Sequence, residues 1–339
     1  IPHITRGSCG SSLVCYCLGI SHTDPVYYKI SFSRFVNEFR DNLPDIDFDF
    51  PHCMRDTVFM RIETRWSGKI ARISNHIHYG EKSAVREALR QIGVRHFISK
   101  NEIGTYLKKL NNQQKTKFLQ IKNKLINKFK GYSLHCGGII YYPDGIPKQD
   151  ILSDNKTLTQ ISLDKRDISK MKYFKIDILS SRGLSQLYEI VDGQHIDFMA
   201  NDKNVLTSEL LSRGDNIGIT LAESPLMRKT LIKLAPKCIA DMALCLSIIR
   251  PMASSNKDFQ LDELSDKMIF DDDAIQIIKK ILGCSEAKAD YYRRGFSKKY
   301  QTTRDEITKT SNKANSETIL NLLSKLKCLQ KYSFCKSHA

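Results

Sequence analysis

Leu43-Pro44-Asp45-Ile46-Asp47-Phe48-Asp49-Phe50 sets three carboxylates at alternate positions. Side chains two apart in a strand share a face, so the spacing predicts a strand that projects Asp45, Asp47 and Asp49 together and turns Ile46, Phe48 and Phe50 the other way. Three like charges on one face repel, and burying them without a counter-ion is costly, so the pattern makes physical sense around divalent cations. A bare DxDxD is more often a half-buried edge strand with its acids in water. The neighbouring residues decide between the two.

Upstream, Thr5-Arg6-Gly7-Ser8-Cys9-Gly10-Ser11-Ser12-Leu13 is a turn of small residues leading into an apolar stretch read as a helix. Such a loop lets backbone N–H groups and hydroxyls approach phosphate oxygens, although Gly-Ser clusters are commonly plain turns. Arg34 and Arg40 precede the acidic strand, as a triphosphate bridged to metal would require. Farther on, Tyr173-Phe174-Lys175-Ile176-Asp177-Ile178 alternates again, with Tyr173, Lys175 and Asp177 on one face. Read by itself, that is a half-buried strand with a solvent-facing Lys175 and Asp177.

With 339 residues, 41% hydrophobic and 27% charged, the chain has room for two or three domains and a real core. Lys and Arg outnumber Asp and Glu by 53 to 37, and the net charge of +16 suits a polyanionic partner. No apolar run approaches the ~18 residues of a membrane helix and no signal peptide is recognisable, so a soluble, intracellular protein is expected. The ten cysteines form no CxxC pair and have no histidines at finger spacing, which predicts reduced, mostly buried thiols without metal. The chain begins at Ile1 and stops at Ala339 just after a helical pattern at Ile319, Leu322, Leu323 and Leu326, and reads as a piece of something longer. Residues 101–130 hold eight lysines and one acid, Glu102, with Phe118, Ile121, Leu125 and Phe129 at helical spacing, which predicts an amphipathic helix with a basic face.

The order of these blocks, from Arg6-Gly7-Ser8 through Asp24-Pro25, Arg34-Phe35 and Pro44–Phe50, resembles the palm of bacterial replicative DNA polymerases of family C, the polymerase III α subunits. The resemblance continues through Lys82 and Arg86, His135-Cys136-Gly137-Gly138, Thr159-Gln160, Lys175-Ile176-Asp177, Glu223-Ser224, Met227-Arg228, Arg250-Pro251, Ala289-Asp290 with Arg293-Arg294, and Tyr332–Phe334 with Lys336-Ser337-His338. It implies an α/β fold: a nucleotidyltransferase palm similar to polymerase β with a mixed sheet in residues 1–96 and 133–182, a short helical thumb in 97–132, and helical fingers in 183–339. It also implies that Asp45, Asp47 and Asp177 bind two Mg²⁺ ions for phosphoryl transfer, with Asp49 in a supporting role. Gly7, Ser8, Arg34, Arg40, Lys82, Arg86, Lys175, Arg293 and Arg294 are then expected at the nucleotide, and Lys122, Lys124 and Lys128 on the DNA backbone. His135 matches a family HAxG segment and is expected to be packed for structural reasons.

The partners so implied are primer-template DNA and deoxynucleoside triphosphates, with a sliding clamp and clamp loader for a longer parent, in the cytoplasm at the nucleoid and without a membrane. The family's amino-terminal metallohydrolase-like domain and everything past the Lys336-Ser337-His338 block lie outside these residues. Two rivals stand beside this reading. A non-catalytic primer-template or replisome interaction module has no need to keep all three acids together with Lys175, Arg293 and Arg294. Another nucleotidyltransferase sharing only the palm has no reason to carry the blocks from Glu223 to His338.

Overall fold

The computed structural model describes residues 1–339 other than 41–42, 95–98, 100, 154–157, 201, 257–259, 265–266 and 311–315. Seven strands form one mixed sheet: β1 (Ile4–Arg6), β2 (Ile46–Phe50), β3 (Ile70–His78), β4 (Phe129–Tyr141), β5 (Ile151–Ser153), β6 (Thr159–Ile161) and β7 (Lys175–Ser180), in the order β1-β2-β7-β4-β3-β6-β5. β2 pairs with β7 and β3 with β6 in parallel, while the other neighbours are antiparallel. The fold is α/β, and the expected mixed sheet is present.

Alternation along β2 and β7 explains which side of the sheet is core. Phe48, Phe50, Ile176 and Ile178 join Ile70, Ile139 and Leu158 under Val58 and Phe59 of the helix Arg55–Arg65, so the acids between them face the other way. A second cluster, Ala71, Ile73, Ile140, Tyr142, Ile161 and Ile168, packs the sheet against the helix Lys165–Met171. That helix is closed by a capping box of Asp164 and Asp167.

Two expected helices behave differently. Asn112–Leu125 forms with an Asn111–Gln114 capping box and buries Phe118 against Ala88 and Leu89 of the helix Glu81–Gln91. Phe129, expected to continue its apolar face, instead begins β4 and is half exposed, because Ile126–Lys128 turn the chain back beside Tyr79. The Leu13–Cys17 helix is present, but Leu13, Val14 and Tyr16 are exposed, and Cys15 alone of its residues is buried. All ten cysteines are free thiols, four buried and three exposed, so the expectation of mostly buried thiols holds only in part.

From Arg182 onward the described chain is helical. Ser224 with Pro225 and Ser285 start the helices Pro225–Leu234 and Glu286–Lys298, and Gly283, at φ +60°, ends Asp273–Leu282. Tyr292 and Phe296 are buried against Ile275, Ile278, Ile307 and the predicted stripe Ile319, Leu322, Leu323 and Leu326 of the helix Ser316–Leu326. Each such burial contributes roughly 1.5–3 kcal/mol, which is what holds Arg293 and Arg294, one and two residues beyond Tyr292, in place.

Candidate active site

The parallel register of β2 and β7 sets Asp47 opposite Asp177, and antiparallel pairing sets Arg6 of β1 opposite Asp47 and Gly138 of β4 opposite Asp177. Residues 130 positions apart in sequence thus become cross-strand neighbours on one face. Burial, followed by the charge of Asp177, pushes the Asp47 carboxyl up to about 6 against the pull of Lys175. Lys175 is not the solvent-facing residue that alternation alone suggests: it is 4% exposed, and its Nζ donates to Asp177 Oδ2 at 2.5 Å and stands 3.9 Å from Asp45 Oδ2. Asp177 Oδ1 is buried without a hydrogen-bond partner among the described residues.

The three acids of the 45–49 segment separate by environment. Asp45 precedes β2, and its exposed carboxylate also meets Lys165 at 3.5 Å. Asp49 is 4% exposed and paired with Arg6 at 2.6 Å, which gives it a counter-ion of its own. Asp47 and Asp177 lie between them. Oxygen donors of this kind, one of them unpartnered and one resisting ionisation, fit a hard divalent cation.

His135 comes closer to this centre than its sequence block suggests. Between the pairs Arg72–Ile139 and Ser74–Leu134 the two strands fall out of step, and β4 carries His135–Gly138 as an irregular bulge. The His135 Nδ1 accepts from the N–H of Gly138 at 2.8 Å and of Gly137 at 3.3 Å, and lies 3.9 Å from Asp177 Oδ1. Burial lowers its pKa, and the accepted bonds leave its hydrogen on Nε2. A Cβ on Gly137 would collide with the carbonyl oxygen of Ile178. Gly137→Ala is therefore expected to destabilise the fold by about 1–3 kcal/mol and to disturb His135; urea denaturation checks this, and a parental midpoint would show that β4 and β7 separate freely.

The Gly7 loop lies against the same acids. Gly7 has φ +71°, and a Cβ there would stand 3.8 Å from Asp47 Oδ2. The turn Gly7–Ser11 is held by residues from the far end of the chain: the Gly7 N–H donates to His338 Nδ1 at 3.1 Å, and Ser337 Oγ donates to the Gly7 carbonyl at 2.9 Å. Gly10 leaves room for Ser337, whose Cβ would be 2.8 Å from a Cβ at that position. Burial and the charges of Arg6, Arg250 and Arg34 push the His338 imidazole down to about 4.

Four of the arginines expected at the nucleotide form a buried ion-pair cluster. Arg34 pairs with Asp272 at 2.7 Å and Asp271 at 3.2 Å, while Arg293 pairs with Asp271 at 2.9 Å and Asp290 at 2.7 Å. Arg294 reaches Asp290 at 3.1 Å, Asn37 donates to it at 3.0 Å, and Arg40 stands 3.7 Å away while donating to the carbonyls of Phe35 and Arg34. Burial and the neighbouring arginines push Arg40 down to about 10 despite Asp290. Four guanidinium groups meet three carboxylates, so one positive charge is in excess. Asp290 stands with Arg293 and Arg294 in the ordered sequence blocks, three and four residues before them at helical ion-pair spacing, whereas Asp271 and Asp272 carry no such signal.

Other expected residues lie on helix surfaces. Lys82 and Arg86 are exposed on Glu81–Gln91, and Lys122 pairs with Glu81 of that helix. Lys124 is on the neighbouring helix and Lys128 in the turn before β4, both exposed. Among the described residues, the group whose donor atoms all lie within 4.8 Å is His76, Asp164 and Asp167 rather than the three aspartates. Its carboxylates serve the cap of Lys165–Met171, and His76 Nε2 is bonded to the Ser162 carbonyl at 2.6 Å, which accounts for the cluster without a cation.

The family model described as bacterial DNA polymerase III alpha NTPase domain matches residues 1–180, and that of the bacterial DNA polymerase III alpha subunit finger domain matches residues 182–318. An error-prone DNA polymerase of Rhodopseudomonas palustris (strain BisB5) is 31% identical over 276 residues, covering 73% of this chain and 25% of the relative. One of Vibrio parahaemolyticus is 28% identical over 281 residues, covering 73% of this chain and 27% of the relative. The chain spans about a quarter of the length of these relatives. Among the described residues no helix is long and apolar enough to cross a membrane.

Proposed function

The chain belongs to the bacterial DNA polymerase III alpha family, and from that membership we propose that it is the catalytic core of a template-directed DNA polymerase that adds deoxynucleotides to a primer 3′ end. The observation that carries the proposal is the pairing of Asp47 with Asp177 across β2 and β7, with Lys175 between Asp177 and Asp45 and the Gly7 loop alongside. Asp45, Asp47 and Asp177 would hold two Mg²⁺ ions, whose chemistry is to lower the pKa of the primer hydroxyl and to balance charge on the departing pyrophosphate.

The chain's own groups do the rest. Lys175, buried beside two of the acids, pairs with Asp177 and stands near Asp45, and it presents its remaining hydrogens to a phosphate oxygen. The Ser8 amide and hydroxyl of the Gly7-Ser8 loop offer neutral donors to the triphosphate, the Gly7 N–H being bonded to His338 Nδ1, and the fixed loop spares the cost of ordering them on binding. Arg34, Arg40, Arg293 and Arg294 supply the surplus positive charge from the finger side, with Lys82 and Arg86 farther out. Residues 1–96 and 133–182 are the palm, 97–132 the thumb, and 183–339 the fingers. Primer-template DNA and deoxynucleoside triphosphates are the substrates, a sliding clamp and clamp loader the partners of the longer protein, and the cytoplasmic nucleoid its place.

Primer extension with Mg²⁺ tests the reading: template-directed incorporation is expected. Folded protein that binds primer-template yet incorporates nothing would make the chain a binding module instead. Because Lys122 is engaged with Glu81, DNA backbone contact falls mainly to Lys124 and Lys128. Replacing both with glutamine should weaken DNA binding and lower the log–log salt slope by ~0.9 for each phosphate no longer neutralised. An unchanged slope would leave them as a solvated surface.

A further inference from the structure

The ladder between β4 and β7 stops beside Asp177. Gly138 is paired with Asp177, but one step farther β4 departs into its bulge, so Ile178 of β7 has no partner residue on that strand. A bulge of this kind leaves carbonyl groups without a ladder bond, and in a half-buried position each needs another donor. Two arginines supply them. Arg55 Nε donates to the Ile178 carbonyl at 3.2 Å, and Arg72 Nη2 donates to the carbonyls of His135 at 3.0 Å and Cys136 at 3.2 Å.

Both guanidinium groups rest on one ring. Phe59 is 4% exposed, and Arg72 lies 4.7 Å and Arg55 5.4 Å from its centroid. Arg55 reaches it from one helical turn earlier in Arg55–Arg65, and Arg72 from β3. Phe59 belongs to the cluster beneath β2 and β7, so the arginines stand behind the sheet, on the side away from the acids. Neither makes an ion pair among the described residues, and both are half-buried, so their charge is directed at the backbone carbonyls. Such charge-assisted bonds are stronger than the neutral ladder bonds they replace, and the flat guanidinium of Arg72 spans two acceptors at once.

The carbonyls so held belong to the residues that shape the candidate centre. Ile178 follows Asp177 directly, and the His135 imidazole stands 3.9 Å from Asp177 Oδ1. We propose that Arg55 and Arg72, packed on Phe59, are positioning residues that close the gap in the β4–β7 ladder from behind and thereby fix Asp177 and His135 relative to Asp47 and Lys175. The assignment rests on the polymerase reading and adds to it two residues that touch neither nucleotide nor DNA.

Arg72→Met tests this, since it keeps the length of the side chain and its packing on Phe59 but removes the donors. Incorporation kinetics, primer-template binding and hydrogen exchange of the metal-free protein are measured on the same preparations. The kcat should fall by about tenfold or more, with nucleotide KM and DNA affinity held within about twofold. Peptides containing Gly137 and Gly138 should exchange about tenfold faster, with those of the finger helix Glu286–Lys298 unchanged. Arg72→Lys, which restores a charged donor without the planar fork, should recover part of both, and Arg55→Met should act like Arg72→Met. If the methionine variants do not fold, Arg72→Lys and Arg55→Lys carry the test, with melting curves as control. In an active parent the proposal is overturned if the variants keep parental kcat, if the loss falls on KM or DNA affinity instead, or if exchange at the bulge is unchanged or quickens equally in every element. If the unmutated protein incorporates nothing but the exchange change is confined to the bulge, the polymerase reading fails and the brace stands.

Discussion

Asp47→Asn should reduce nucleotide incorporation by roughly 10²–10³-fold or more while the protein stays folded. Asp47 faces Asp177 and touches the space beside Gly7, so its charge is aimed at the reacting centre and at little else. Its folded pKa, about 6, lies above the ordinary 3.8, so ionising it opposes folding: in metal-free protein this carboxyl removes stability as pH rises from about 4 through about 6. The asparagine variant should lack that part of the pH dependence and melt at or above the parental temperature near pH 7.5. Single-nucleotide incorporation and melting curves from pH 4.5 to 8 measure both. Near-parental extension would remove Asp47 from the centre.

Asp290→Ala is expected to give the largest loss of stability, about 3–5 kcal/mol. The carboxylate is fully buried, takes two bonds from Arg293, and is shared with Arg294 and Asn37 under the charge of Arg40. Removing it strands Arg294 and Arg40 and leaves Arg293 with Asp271 alone, which is a different matter from losing one surface ion pair. Urea denaturation checks the value. A loss below about 1 kcal/mol would mean that water or Asp271 neutralises the arginines in its place.

Strand periodicity makes Asp47, Lys175 and Asp177 legible in the sequence, because alternation around them is regular and their apolar partners are large. What alternation does not contain is adjacency: nothing in either segment says that β2 and β7 are parallel neighbours, and only the ordered family blocks linked them. Burial reverses the plain reading of Lys175, since β4 and the acids close over a side chain that its own strand would leave in water. Phe129 is missed for a related reason, as helical spacing persists for one residue past the point where the backbone turns toward Tyr79. The arginines were legible as positive charge, but the carboxylates of Arg34 come from Asp271 and Asp272, in an Asp triplet far along the chain that has no periodic signature. Arg250 stands in the ordered blocks, but its buried Nε without a partner among the described residues leaves no trace in sequence.

The bond between Gly7 and His338 joins residues 331 apart. Contacts of that span are slow to form, since nearly the whole chain must be ordered before the loop between them closes at an acceptable entropic cost. Gly7 is synthesised 331 residues before His338, so the bond that fixes its turn waits until that part of the chain has been made. A chain not yet extended to His338 would carry Asp45, Asp47 and Asp177 without the contacts that hold the Gly7 turn.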